Sequence, residues 1–164
     1  KEILSVDEII ESLEASITLL KSVNPSIDIL FTVSPVRHLK DGFVENTLSK
    51  SHLITAIQQI VNQRNQTFYF PSYEIMMDDL RDYRFYEADM IHPNQVAIDY
   101  VWEQFSTVWL TKKASSYFKR IASVQQSKLH TSSQPDSIAH QEFLKKLAIQ
   151  QEQLETELNI SFNA

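Results

Sequence analysis

Ile27-Asp28-Ile29-Leu30-Phe31-Thr32-Val33-Ser34-Pro35 is the most informative short stretch of this chain. From Ile27 to Val33 it is rich in β-branched residues and nearly continuous in apolar character. That predicts a strand buried on both faces, as in a parallel sheet. Ser34-Pro35 ends it. Thr67 to Phe70 predicts a second strand, closed by Pro71. Between the two lie a loop from Val36 to Thr47 and a helix from about Ser49, with Leu53, Ile57, Ile60 and Val61 on one face. Strand, loop, helix and strand in that order form one βαβ unit, expected to be parallel and right-handed. The fold class is therefore α/β.

The flanks read as helices. Ser5-Val6-Asp7-Glu8 has the form of a capping box. Val6, Ile9, Ile10, Leu13, Ile17 and Leu20 then follow helical spacing until Asn24-Pro25 stops them. A short helix is predicted over Ser72–Leu80, and Arg81–Asp89 reads as irregular. Pro93 suits the first turn of a helix that continues through Ala97, Tyr100, Val101, Gln104, Phe105 and Val108. Residues 111–164 form a helical extension: a helix over Thr111–Gln126, a polar loop over Ser127–Pro135, and a helix from Asp136. The last helix carries Leu144, Leu147, Leu154 and Leu158 in a short seam that resembles a coiled coil and predicts a homo-oligomer through the C-terminal helices.

Composition narrows the function classes. The 164 residues are 43% apolar and 22% charged, with a formal charge of −6. An acidic chain without a basic run argues against nucleic acid as partner. No apolar run approaches the roughly 20 residues of a membrane span. There is no cysteine, which excludes disulfides, thiolate metal sites and cysteine nucleophiles. The chain starts at Lys1 rather than Met, so an upstream segment is expected. The compartment stays open, with the cytoplasm preferred. There is a single glycine, Gly42. Average usage would give roughly eleven. Nucleotide-binding loops and nucleophile elbows depend on glycine, so the chain either lacks such chemistry or carries part of a site.

Two places carry reactive side chains. The first is Asp89-Met90-Ile91-His92-Pro93. An Asp three residues before a His, in a loop entering a helix, lets the carboxylate hold the imidazole while the other ring nitrogen takes a proton from a nucleophile. By spacing alone the pair also reads as an ordinary helix start. The second place is the carboxyl end of the first strand, where open α/β sheets bind ligands. Arg37 could bind a carboxylate or phosphate, and His38 could donate to a developing oxyanion. Ser34 could be a nucleophile if its hydroxyl reaches His92. Otherwise Ser34 only terminates the strand and Arg37 is solvated. Phe68-Tyr69-Phe70 and Tyr83-Arg84-Phe85-Tyr86 read as core and pocket wall. His52, His130 and His140 read as surface residues, and Asp78, Asp79 and Asp82 as a solvated face. No metal or cofactor is expected.

Longer strings add a family resemblance. Phe31-Thr32-Val33-Ser34-Pro35-Val36-Arg37-His38, then Asp41-Gly42, Glu45-Asn46 and Ser49-Lys50, resemble the GSCFA family. So do Tyr69-Phe70-Pro71-Ser72-Tyr73-Glu74-Ile75-Met76, Arg81-Asp82-Tyr83-Arg84-Phe85-Tyr86 and Asp89-Met90-Ile91-His92-Pro93. The resemblance covers about half the chain, in order, and does not extend into residues 111–164.

The resemblance implies a relative of the SGNH (GDSL-like) hydrolases: a three-layer α/β sandwich with a flavodoxin-like parallel sheet. In such proteins the nucleophilic serine lies in an N-terminal block and an Asp-x-x-His lies near the C-terminus, which Asp89 and His92 match. The Gly-Ser-Cys-Phe-Ala string that names the family has no counterpart here. Residues 1–110 are therefore expected to be the C-terminal portion of such a domain, with a partial sheet and no nucleophile block. The expected function is serine-dependent hydrolysis or transfer of an ester-linked acyl group, from a small molecule or carbohydrate. His92 would be the base, Asp89 its orienting carboxylate, and Arg37, His38 and Ser34 substrate or oxyanion candidates. The alternative is a non-enzymatic ligand-binding or interaction module that dimerises through its helical tail.

Overall fold

Why the chain folds as it does is clearest at its helix ends, where the sequence supplies the missing hydrogen bonds. A computed structural model describes residues 2–63, 65–129 and 137–162. Helix α1, Val6–Val23, begins with the capping box: the Glu8 N–H donates to Ser5 Oγ at 3.3 Å, and the Ser5 N–H donates to Glu8 Oε2 at 2.8 Å. Each bond satisfies one amide that a helix start leaves open. Ile9 and Ile17 on one face of α1 are buried. They pack towards α2, Phe43–Gln63, which buries Ala56, Ile57 and Ile60.

Strands β1, Ile29–Thr32, and β2, Thr67–Phe70, are parallel, with Ile29 opposite Thr67 and Thr32 opposite Phe70. Helix α2 is the crossover between them. Among the described residues these two strands are the whole sheet, so the architecture is helix-rich mixed α/β. Burial on both faces, expected for the first strand, is not found: its residues are half-buried and Thr32 is exposed. The reason is lateral. Residues alternate faces along a strand, and Leu30, Thr32 and Phe70 open onto an apolar groove rather than a packed layer.

Helix α2 starts earlier than its apolar pattern predicts. A 3₁₀ turn at Leu39–Asp41 ends on Gly42, whose φ of +90° suits the residue without a Cβ. Any side chain there would run into the Glu45 carboxylate. The Gly42 carbonyl then accepts from the Asn46 N–H at 3.0 Å and opens the helix. Phe43 and Val44 in that first turn are exposed, so no apolar periodicity marks it.

After β2, helix α3, Ser72–Glu74, passes directly into π-helical turns over Ile75–Leu80, where a plain helix was expected. Arg81 closes them in the left-handed region at φ 48°. Met76 and Leu80 from this segment meet Ala97 in a core cluster. Helix α4, Gln95–Trp109, begins two residues after Pro93, with Asn94 as its cap: Asn94 Oδ1 accepts from the Ala97 N–H at 3.2 Å. Pro93 instead pairs with Tyr86 in an isolated antiparallel bridge.

The chain divides into two compact units, Lys1–Phe105 and Ser106–Ala164. The second holds the end of α4 with α5, Lys112–Lys128, and α6, Ile138–Leu158. Thr111 and Ser137 cap the last two by accepting from the amides of Ala114 and His140. Helix α5 runs past the predicted loop start at Ser127. Residues 130–136, with the rest of that loop, His130 and Asp136, lie outside the described residues. Leu147 and Leu154 pack against Val124 of α5, and Leu158 joins them, while Leu144 is exposed. Three of the four seam leucines thus find their partners inside this unit. No helix among the described residues is long and apolar enough to cross a membrane.

Candidate functional site

The loop before α4 is built around the Asp89 carboxylate. Asp89 Oδ1 accepts from the backbone N–H groups of Ile91, at 2.8 Å, and His92, at 3.1 Å. This is the local turn that aspartate side chains favour. Asp89 Oδ2 is 2.6 Å from His92 Nδ1. An ionised carboxylate only accepts, so Nδ1 carries the hydrogen, and in the neutral ring Nε2 is the nitrogen with the lone pair. No described residue hydrogen-bonds Nε2, and the His92 side chain is 60% exposed. The bond from the His92 side chain, then those from the two amides, hold the Asp89 carboxyl at about 2 against an ordinary 3.8. Its native pKa lies below its unfolded one. The pair's stabilisation is thus complete above about pH 4 and is lost as pH falls through about 2.

The loop itself is held from the strand side. Met90 sits at φ 60°, a conformation that costs a non-glycine residue roughly 1 kcal/mol or more. Arg37, five residues beyond β1, clamps it: its backbone N–H donates to the Ile91 carbonyl at 3.1 Å, and Nη1 donates to the Met90 carbonyl at 3.0 Å. The Met90 N–H closes onto the Glu87 carbonyl at 2.9 Å, and the Glu87 N–H donates to the His92 carbonyl at 2.8 Å. The Arg37 guanidinium lies 5.5 Å from the ring centres of both Tyr83 and Tyr86, so it joins both limbs of the segment.

The end of β1 is fixed by buried polar contacts. Ser72 Oγ donates to the Val33 carbonyl at 2.8 Å. Its one hydrogen is thereby used, so the Thr32 hydroxyl, 2.6 Å away, donates to Ser72. Lys50 is only 5% exposed and its ammonium donates to the Ser34 carbonyl at 2.6 Å. Burial lowers its pKa. Spacing could not identify Lys50 as a buried anchor, because it sits on α2, sixteen residues from its partner.

The candidates separate accordingly. The structure joins Asp89, His92 and Arg37. Ser34 Oγ accepts from the Val36 N–H at 3.2 Å, and no described hydrogen bond links it to His92. His38 is exposed, and its contact is through the backbone, whose N–H donates to Asn46 Oδ1 at 3.0 Å. Tyr83 and Tyr86, expected as wall, line a hollow beside Arg37 and lie under its guanidinium. Asp78 faces Arg81, Asp79 accepts from the Tyr100 hydroxyl, and Asp82 accepts from the Arg84 amide. His52 is half-buried and donates from Nδ1 to the Leu4 carbonyl, while His140 stacks on Phe143.

Two hollows adjoin the loop. One, about 430 Å³, is the apolar groove between the sheet and α4, walled by Leu30, Phe70, Val101 and Phe105 and edged by Pro35 and Pro93. Phe105 meets Phe70 edge-on at 5.2 Å and stacks on Trp102 at 5.4 Å. The other, about 310 Å³, lies against Arg37 and the π-helical turns.

The chain matches the GSCFA family over residues 1–105. The match ends at the last residue of the first compact unit. No curated protein and no solved structure matches it.

Proposed function

Because the chain belongs to the GSCFA family, we propose that its Asp89–His92 pair is the acid–base end of a serine-dependent acyl-ester hydrolase or transferase of SGNH type. Residues 1–105 supply the C-terminal part of that domain, and a serine outside these 164 residues is the nucleophile. A small-molecule or carbohydrate ester is the substrate class. The observation that carries the reading is the 2.6 Å contact from Asp89 to His92 Nδ1, on a His92 side chain that is 60% exposed.

The chemistry follows from that tautomer. Nε2 takes the proton from the serine hydroxyl as its oxygen bonds to the ester carbonyl carbon. The imidazolium formed is stabilised by Asp89, whose carboxylate is already ionised. Nε2 then returns the proton to the departing alcohol oxygen as the carbon–oxygen bond breaks. A water repeats the cycle on the acyl-enzyme and releases the acid. His38, exposed beside the strand end, is the candidate donor to the oxyanion.

The test uses the product of the complete gene. It is expected to hydrolyse short-chain p-nitrophenyl esters and acetylated sugars, and to take a fluorophosphonate label on one serine. Residues 1–164 alone are expected to do neither. A complete protein that turns over no ester and takes no label contradicts the proposal.

A further inference from the structure

The hollow beside Arg37 is shaped and charged for an anion. Its wall carries two cations, Arg37 and Arg81, and two tyrosines, Tyr83 and Tyr86, over a floor that includes Met76 and Met77. Asp82 is the acid in that wall, and it is already engaged: it accepts from the Arg84 N–H at 2.9 Å and pairs with the Arg84 guanidinium at 3.3 Å. A chain of formal charge −6 thus presents a locally positive concavity.

Arg37 is the more telling group. Its guanidinium carbon lies over both tyrosine rings, 5.5 Å from each centre, a cation–π arrangement that takes up no hydrogen-bond acceptor. One N–H is used, on the Met90 carbonyl. Nε and Nη2 have no described acceptor, and among the described residues no buried side-chain nitrogen is left unsatisfied, so neither of the two is fully buried. The result is a pre-oriented fork with donors to spare, the arrangement that binds carboxylate or phosphate oxygens in pairs. Arg81 adds a second cation whose nearest acid, Asp78, stands 3.6 Å away with both side chains about three-quarters exposed. In water such a pair holds weakly and releases readily.

We propose that this hollow binds the oxyanion of a compact organic acid or phosphate ester. The argument rests on the pocket alone. Should the ester reading also hold, the site belongs to the same substrate, because Arg37 is bonded to the two residues that precede His92. The substrate is then an ester that carries an anionic group rather than a neutral one.

The experiment is a titration of the 164-residue chain followed by amide NMR, with inorganic phosphate, glucuronate and glucose as probes. Saturable shifts at residues 37 and 81–86 with phosphate, glucuronate or both support the site, and which of them acts identifies the oxyanion. Glucose should leave those amides unmoved. Arg81→Glu, at an exposed position, should weaken binding about tenfold or more and keep the fold. Arg37→Lys keeps the charge, loses the fork, and should weaken it about fivefold or more. Repeating the titration on His92→Ala separates the two proposals, since binding should survive there whatever becomes of turnover. Failure of both oxyanions to bind, equal binding of glucose, or native affinity in both arginine variants would overturn the site.

Discussion

His92→Ala in the complete protein is expected to lower ester turnover by about 10⁴-fold or more, while substrate binding changes little. Removing the base of such a unit removes nearly all of its chemistry, and what remains comes from binding and oxyanion stabilisation. The companion variant, Asp89→Asn, isolates the role of the carboxylate. Its amide oxygen can still accept from the Ile91 and His92 amides, so the turn survives. Its NH₂ group, placed where Oδ2 now sits, would donate to Nδ1. That moves the ring hydrogen to Nε2 and takes away the lone pair the mechanism uses. A loss of about 10⁴-fold in kcat is expected, with an unchanged fold. Steady-state kinetics with p-nitrophenyl acetate checks both. Turnover within about tenfold of native in either variant would remove His92 from the mechanism.

Leu154→Ala is expected to destabilise the C-terminal unit by about 2–5 kcal/mol, the range for deleting a buried leucine side chain. Leu154 is 1% exposed and meets Val124 and Leu147, the other buried residues of its cluster. A unit this small buries too little surface to hold much reserve. The bidentate pair of Arg120 with Glu157, at 2.7 and 3.0 Å, does not offset the loss. That pair is about 40% exposed, and such pairs contribute about 1 kcal/mol or less. Hydrogen exchange reads the outcome directly: amides of α5 and α6 should lose protection in the variant. A change below about 1 kcal/mol in urea unfolding would contradict this account of the core.

Much of this was legible in the sequence because it is local. The Ser5–Glu8 box needs only the backbone between the two residues and could be read from spacing; the Asp89–His92 contact spans three positions, but it took the longer family strings to separate it from an ordinary helix start. The βαβ order followed from one β-branched run and one aromatic run on either side of a helix with one apolar face. The start of α2 was hidden, because Phe43 and Val44 face solvent and the signal is the Gly42 conformation. The π-helical turns over Ile75–Leu80 have the same apolar pattern as an α-helix. The clamp on the Asp89–His92 loop was invisible for a different reason. Arg37 and Met90 are 53 residues apart, and no local rule connects a cation after one strand with a carbonyl before a later helix. The same holds for Lys50 beneath Ser34, where burial gives an ordinary-looking lysine its role.

If Asp89 presets His92 as a base, the state of one imidazole shows it. Nitrogen-15 NMR of the His92 ring, at a pH where the ring is neutral, distinguishes its two tautomers. The hydrogen is expected on Nδ1, with Nε2 bare, and Asp89→Asn should reverse the pattern. A native ring with its hydrogen on Nε2 and Nδ1 bare would mean that Asp89 does not preset the base.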